Sequence, residues 1–226
     1  MSMGNFYVSP ETFMRDKADY ARKGIARGRS LVALTFADGI LLAAENSSSS
    51  LHKISEIYDR IAFAGVGRYN EFDQLRRAGV QHADVKGYQF SREDVDARAL
   101  ANLYAQYLGQ VFTHEMKPFE VEILVAEVGA QVADDQLYHI LYDGSVVDEE
   151  RFTVLGGDSD AIIERMKESF AEGASLADAL KTATAALAGP ERTIEAHDLE
   201  VAVLSRSLDR RAFQRIEDEE AAQLLG

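Results

Sequence analysis

The sequence predicts an α+β protein in which two antiparallel β-sheets stack face to face and helices cover both outer faces. Two observations predict it. Strand-like and helix-like stretches come in blocks of four strands, two helices, three strands, two helices and two strands. Such segregation suits antiparallel sheets under helices rather than a parallel, doubly wound sheet. Asp-Gly pairs at 38–39 and 143–144 separate apolar runs, which is a strong hairpin signal. A four-layer helix–sheet–sheet–helix sandwich satisfies both, each sheet burying one face against the other. No internal repeat or Gly/Ser linker divides the chain, so residues 1–226 read as a single domain able to bury a sizeable core.

Each element has its own signal. Ser9-Pro10-Glu11 opens the first helix, with serine as N-cap and proline at the first helical position. Met14, Ala18, Ala21 and Ile25 form one stripe at helical spacing, and Gly28 stops it, giving a helix over 10–27. Leu31–Phe36 and Ile40–Ala44 form the first hairpin. Strands over about 52–57 and 60–66 follow, turning near Tyr58-Asp59. One helix is predicted over 69–82 and another from Ser91, in a Ser-x-x-Asp capping pattern, to His114. The second carries the stripe Leu100, Leu103, Tyr104, Tyr107, Leu108 and Val111. After Pro118 come strands beginning at Val121, over Leu137–Tyr142 and over Val146–Leu155. Helices over about 160–170 and 175–187 and strands near 199–204 and 211–216 complete the sandwich, 31–216. An acidic helix, 217–226, ends the chain.

Bulk properties exclude several functions. The net charge of −14 argues against nucleic-acid binding, which asks for a basic face. With no cysteine there are no disulfides, thiolate metal sites or cysteine nucleophiles. No apolar run is long enough to span a membrane, and the N-terminus lacks the charge and apolar pattern of a signal peptide. The expected compartment is cytoplasmic, with no cofactor and no membrane partner.

Conventional chemistry is equally hard to find. There is no phosphate loop, no G-x-S-x-G and no histidine pair at metal-ligand spacing. Gly156-Gly157-Asp158 reads as a turn followed by a helix N-cap. Asp38 and Glu45 flank a strand without a neighbour that would make them an acid/base pair. Lys53 opens a strand within SLHKISEIYDRIAFAGVG, residues 50–67. From the residues alone it is a catalytic amine, a binding charge or a solvated side chain.

The run ARKGIARGRSLVALTFADGILLAAENSSSSLHKISEIYDRIAFAGVGRYNEFDQLRRAG, residues 21–79, resembles the proteasome α subunits of actinobacteria. The order of elements along nearly the whole chain is similar to that family. SPETFMRDKADYARKGI resembles the extra N-terminal helix that distinguishes α from β subunits. The resemblance implies the N-terminal-nucleophile hydrolase sandwich and a seven-membered α ring stacked on proteolytic β subunits. In that fold the nucleophile is the chain's first residue, its own α-amine acting as base. Matching the first strand places Arg29 or Ser30 there, behind an intact helix and without a glycine-threonine processing junction. The chain is therefore expected to be noncatalytic. The rival enzyme reading, a self-processing amidohydrolase, requires removal of residues 1–29 to free Ser30. A stand-alone binding module is the other rival.

The resemblance also assigns sites. Lys53 falls on the lysine that pairs with the C-terminal carboxylate of a docked regulator, typically an ATPase ring. Gly28 and Gly67 fall on glycines lining that pocket between neighbouring subunits. Met1, Ser2, Met3, Gly4, Asn5, Phe6, Tyr7, Val8 and Ser9 correspond to the gating tail. Pro10 and Tyr20 match positions bracing its turn, although the spacing is one residue longer than in archaeal and eukaryotic relatives. Phe6-Tyr7-Val8 replaces their Tyr-Asp-Arg, so a closed gate here cannot use the same contacts. Thr113–Lys117 matches the segment narrowing the axial channel through which protein substrates pass. Tyr58-Asp59-Arg60, which mimics the gate motif, is expected to be a structural turn.

Overall fold

Every residue of Leu31–Phe36 is buried, which requires a strand covered on both faces. Val32, Leu34 and Phe36 enter one apolar cluster while Leu31 and Ala33 enter another, following the two-residue period of a strand. In this computed structural model, which describes residues 9–226, two five-stranded sheets carry that pattern. One contains β1 (Leu31–Phe36), β2 (Gly39–Glu45), β8 (Phe152–Leu155), β9 (Leu199–Ser205) and β10 (Phe213–Ile216), in the order β10-β9-β2-β1-β8. The other runs β3-β4-β5-β6-β7, from β3 (Ile54–Tyr58), β4 (Ile61–Gly67), β5 (Val121–Glu127), β6 (Gln136–Ile140) and β7 (Val146–Glu149). All pairings are antiparallel.

Three apolar layers result. Between the sheets lie many small side chains, among them Ala33, Ala44, Ala62, Ala64, Ala126 and Ala202, which let the sheets approach closely. Helices α4 (Ser159–Ser169) and α5 (Leu176–Ala188) cover the first sheet through Ile162, Met166, Leu180 and Leu187. α6 (Asp218–Leu225) packs beside α5. Helices α2 (Tyr69–Gln89) and α3 (Ala97–His114) cover the second through Phe72, Leu75, Leu100, Tyr104 and Leu108. Fully burying a side chain such as Phe63 contributes about 1.5–3 kcal/mol. Helix α1 (Pro10–Ile25) lies against the ends of β4 and β5, with Ala21 and Ile25 buried beside Tyr142.

The structure corrects several boundaries. The run Val146–Leu155 is two strands, not one, and they belong to different sheets. The ladder breaks at Glu150-Arg151 because the chain there crosses from one sheet to the other. α2 continues past His82 to Gln89, a solvated extension whose last apolar residues, Val85 and Tyr88, are exposed and leave no stripe to detect. Ser91 caps only a short 3₁₀ turn, Arg92–Asp94. α3 starts later, where the Asp96 carboxylate accepts from the Ala99 N–H at 2.7 Å. On α1 the buried face includes Lys17, only 5% exposed, whose amine donates to the Phe112 carbonyl at 2.8 Å.

Candidate functional site

Lys53 precedes β3, and Glu200 on β9 fixes its backbone. One Glu200 oxygen accepts from the Lys53 N–H at 2.8 Å and the other from the Ile54 N–H at 3.1 Å. Arg215 and Asn46 donate to the same carboxylate, each at 2.8 Å. The side chain then runs to the opening of the β1–β2 hairpin. There its amine donates to the carbonyls of Arg29, at 2.8 Å, and Glu45, at 3.1 Å. Burial pushes the ammonium down to about 8, opposed by the charges of Glu200 and Glu45 and assisted by Arg29. An ammonium carries three donors. Two meet neutral carbonyls, and the group holds its charge against the desolvation.

Glu45 does not compete for that amine through its carboxylate, which pairs with the guanidinium groups of Arg29 and Arg192. Gly28, Arg29, Ser30, Glu45, Arg165 and Arg192 line an open cleft of about 660 Å³. The Lys53 amine meets the carbonyls of two residues that line this cleft, Arg29 and Glu45.

The two glycines meet directly. A Cβ on Gly28 would lie 3.1 Å from the Gly67 amide nitrogen, so any larger residue would crowd the contact. Gly67 has φ of +107° and packs on the Glu120 carbonyl, which a Cβ would approach to 2.0 Å. The fold alone requires glycine there. The local result is a surface where backbone rather than side chains is presented, one residue from the carbonyl that holds Lys53.

Residues assigned to the tail are only partly within view. Met1, Ser2, Met3, Gly4, Asn5, Phe6, Tyr7 and Val8 lie outside the described residues. Ser9 caps α1, its hydroxyl oxygen accepting from the Thr12 N–H at 3.2 Å, with Pro10 at the first helical position. Tyr20 lies ten residues along the same helix, about 15 Å from Pro10 at 1.5 Å per residue. It is half exposed, and the Lys117 amine stands 5.8 Å from its ring. Tyr20 thus stands beside the loop after α3, and the tail that it and Pro10 are expected to brace lies outside the described residues.

The remaining candidates find structural partners. Ser30 is 9% exposed, and its carbonyl accepts from the Glu45 N–H at 3.3 Å. Among the described residues its hydroxyl makes no hydrogen bond to a basic group. Asp38 accepts from the hydroxyls of Ser205 and Ser207 and from the Ser207 N–H. Asp158 is the N-cap residue of α4, where the sequence predicts a turn and N-cap, and its carbonyl accepts from the Ile162 N–H at 3.2 Å, but its side chain makes no capping hydrogen bond. Tyr58-Asp59-Arg60 is a turn: Arg92 pairs with Asp59 and stacks over the Tyr58 ring at 4.5 Å. Sequence reasoning missed Glu200, the residue that sets the Lys53 backbone. Nothing near position 200 marks it, because its partners lie 146 and 147 residues away.

Comparison with known proteins bears on this arrangement. The pattern of the family described as "Proteasome subunit" matches residues 25–204. The chain is 61% identical over 221 residues to a protein of Acidimicrobium ferrooxidans named "Proteasome subunit alpha", covering 98% of this chain and 95% of that one. Equally named proteins of Sanguibacter keddieii and Kineococcus radiotolerans are 58% and 55% identical. They cover 93% and 97% of this chain and 85% and 97% of their own lengths.

Proposed function

The chain belongs to the proteasome α-subunit family, of actinobacterial type, and from that membership we propose a noncatalytic role in the α ring of a proteasome core particle. In this reading it works in the cytoplasm. Seven copies form the ring, which stacks on β subunits that carry the peptide-cleaving threonines. It gates entry of protein substrates and receives the C-termini of an ATPase ring or another activator. What supports the noncatalytic part is the likeness to proteins named proteasome subunit alpha, together with a Ser30 hydroxyl that, among the described residues, has no basic group hydrogen-bonded to it to activate it.

Lys53 is the proposed docking charge. Its backbone is fixed, its amine is set beside Gly28-Arg29, and two neutral carbonyls hold it. A terminal carboxylate arriving there would take the third donor and relieve the cost of burying the charge. A hydrogen bond between such groups contributes about 1.5–3 kcal/mol, weak singly but useful when repeated around a ring. Residues 1–9 are the proposed gate, and Thr113–Lys117 the proposed constriction.

The test is co-expression with the β subunit of the same organism. A barrel-sized complex with peptidase activity is expected, and a monomer indifferent to β would overturn the reading. In that complex, Lys53→Ala should preserve assembly and small-peptide cleavage while impairing activator-dependent protein degradation. Deleting residues 2–8 should speed entry of unfolded substrates; an unchanged rate would remove the gating role.

A further inference from the structure

Two carboxylates that no assigned role uses are buried near the Gly67 backbone. Glu71 on α2 and Glu120 just before β5 are each 8% exposed. The Lys117 amine bridges them, 2.6 Å from Glu71 and 3.1 Å from Glu120. Arg68 pairs with Glu120 at 2.9 Å, and the Glu120 N–H donates to Glu71 at 2.7 Å. Two negative and two positive groups therefore close on one another.

Such a cluster is poor evidence for stability. Apolar residues of equal volume in place of a buried ion pair are often neutral or stabilising. Its distinguishing property is what it joins. The Glu120 main chain packs on Gly67 and accepts from the Arg68 N–H at 2.9 Å. The Glu120 side chain fills the space over Gly24 of α1, where a Cβ would fall 2.2 Å from its oxygen. Lys117 lies in the loop between α3 and β5; residues 113–117, the last two of α3 and the first three of that loop, are all exposed. Through Lys117 that loop is tied to the Gly67 backbone and to α1 by charge.

We propose that Arg68, Glu71, Lys117 and Glu120 are positioning residues that make the Gly67 edge of the docking pocket and loop 113–117 move as one piece. The inference rests on the docking reading above. A tail seated against Gly67 pushes on Glu120, and the ion pairs carry that displacement to Lys117 and the loop. Neutralising the link should leave binding intact and abolish its effect on the channel.

The experiment uses assembled core particle with Glu71→Gln, on the buried side of the link, in the α chain and the ATPase ring of the same organism as probe. Two quantities are read: affinity of the ring, and the gain it produces in fluorogenic-peptide hydrolysis. The expected result is a gain reduced at least about fivefold, the low end of allosteric couplings, with affinity and unstimulated rate unchanged, whereas the charge-conserving Lys117→Arg retains the gain. A gain retained by Glu71→Gln would overturn the proposal. So would a joint loss of gain and affinity, or a gain lost only because the unstimulated rate rises. If Glu71→Gln does not assemble, Glu120→Gln keeps the side-chain shape and is judged by the same outcomes. Lys53→Ala run in parallel separates the two readings: undiminished ring affinity there would remove the docking site itself.

Discussion

At the turn of the β3–β4 hairpin, Asp59 pairs with Arg92, and Arg60 donates to the carbonyls of Val128, Gly129 and Asp209. The Arg92 hydrogen bonds hold the Asp59 carboxyl below its ordinary range. At the open end of the same hairpin, Lys53 faces two neutral carbonyls and burial pulls its ammonium down to about 8. Both ends carry charge, yet only the turn provides an opposite charge in direct contact. The comparison teaches where an incoming ligand gains most. A new carboxylate at the turn would displace an existing partner, whereas at Lys53 it supplies one.

Removing Glu200 should break the contrast most severely. Glu200→Ala leaves the Lys53 and Ile54 N–H groups, Asn46 and Arg215 without their shared acceptor. Stripping one partner from a buried ionic site costs about 3–5 kcal/mol, so urea unfolding of the free chain should shift clearly. Docking should fail with it, since Lys53 loses its backbone anchor.

pH offers a subtler separation. Lys53 titrates near 8 in the folded chain against 10.5 when unfolded, so the unfolded state binds more protons between those values. Stability should therefore rise with pH over that interval, and be lost again as pH falls through about 8. Docking should move oppositely, roughly tenfold weaker per site at pH 9 than at pH 7 if the ammonium is required. Lys53→Met should flatten both curves. Activator binding that stays constant from pH 7 to 9 would dissociate the amine from the docking role.

The smallest effect belongs to the turn. The Asp59 carboxyl, depressed below 3.8, adds stability above that value and loses it as pH falls. Because Arg92 is half exposed, solvent screening limits the contribution. Asp59→Asn should lower the melting temperature slightly at neutral pH and leave activator-dependent degradation untouched. A clear loss of degradation would show that this turn is more than structural.

Much of the fold was legible because its signals are local. Apolar alternation located Leu31–Phe36, and Asp38-Gly39 marked its hairpin. Ser9-Pro10 announced the first helix. The site was legible only through resemblance: Lys53 by itself left three readings open. The crossing at Glu150-Arg151 was not legible, since ten residues of continuous strand character do not say which sheet each half joins. Nor was the Asp96 start of α3, because Ser91 offered an equally good cap six residues before the helix begins.

The sequence by itself determined the layer order, the family and the candidate lysine, all of which depend on short-range periodicity or contiguous runs. Tertiary structure alone decided that Glu200 anchors Lys53, that Gly28 meets Gly67, and that Glu71 and Glu120 close around Lys117. A charged residue looks the same in sequence whether water or a buried partner receives it. Which one does is settled when strands far apart in the chain bring their carboxylates and cations into the same small volume.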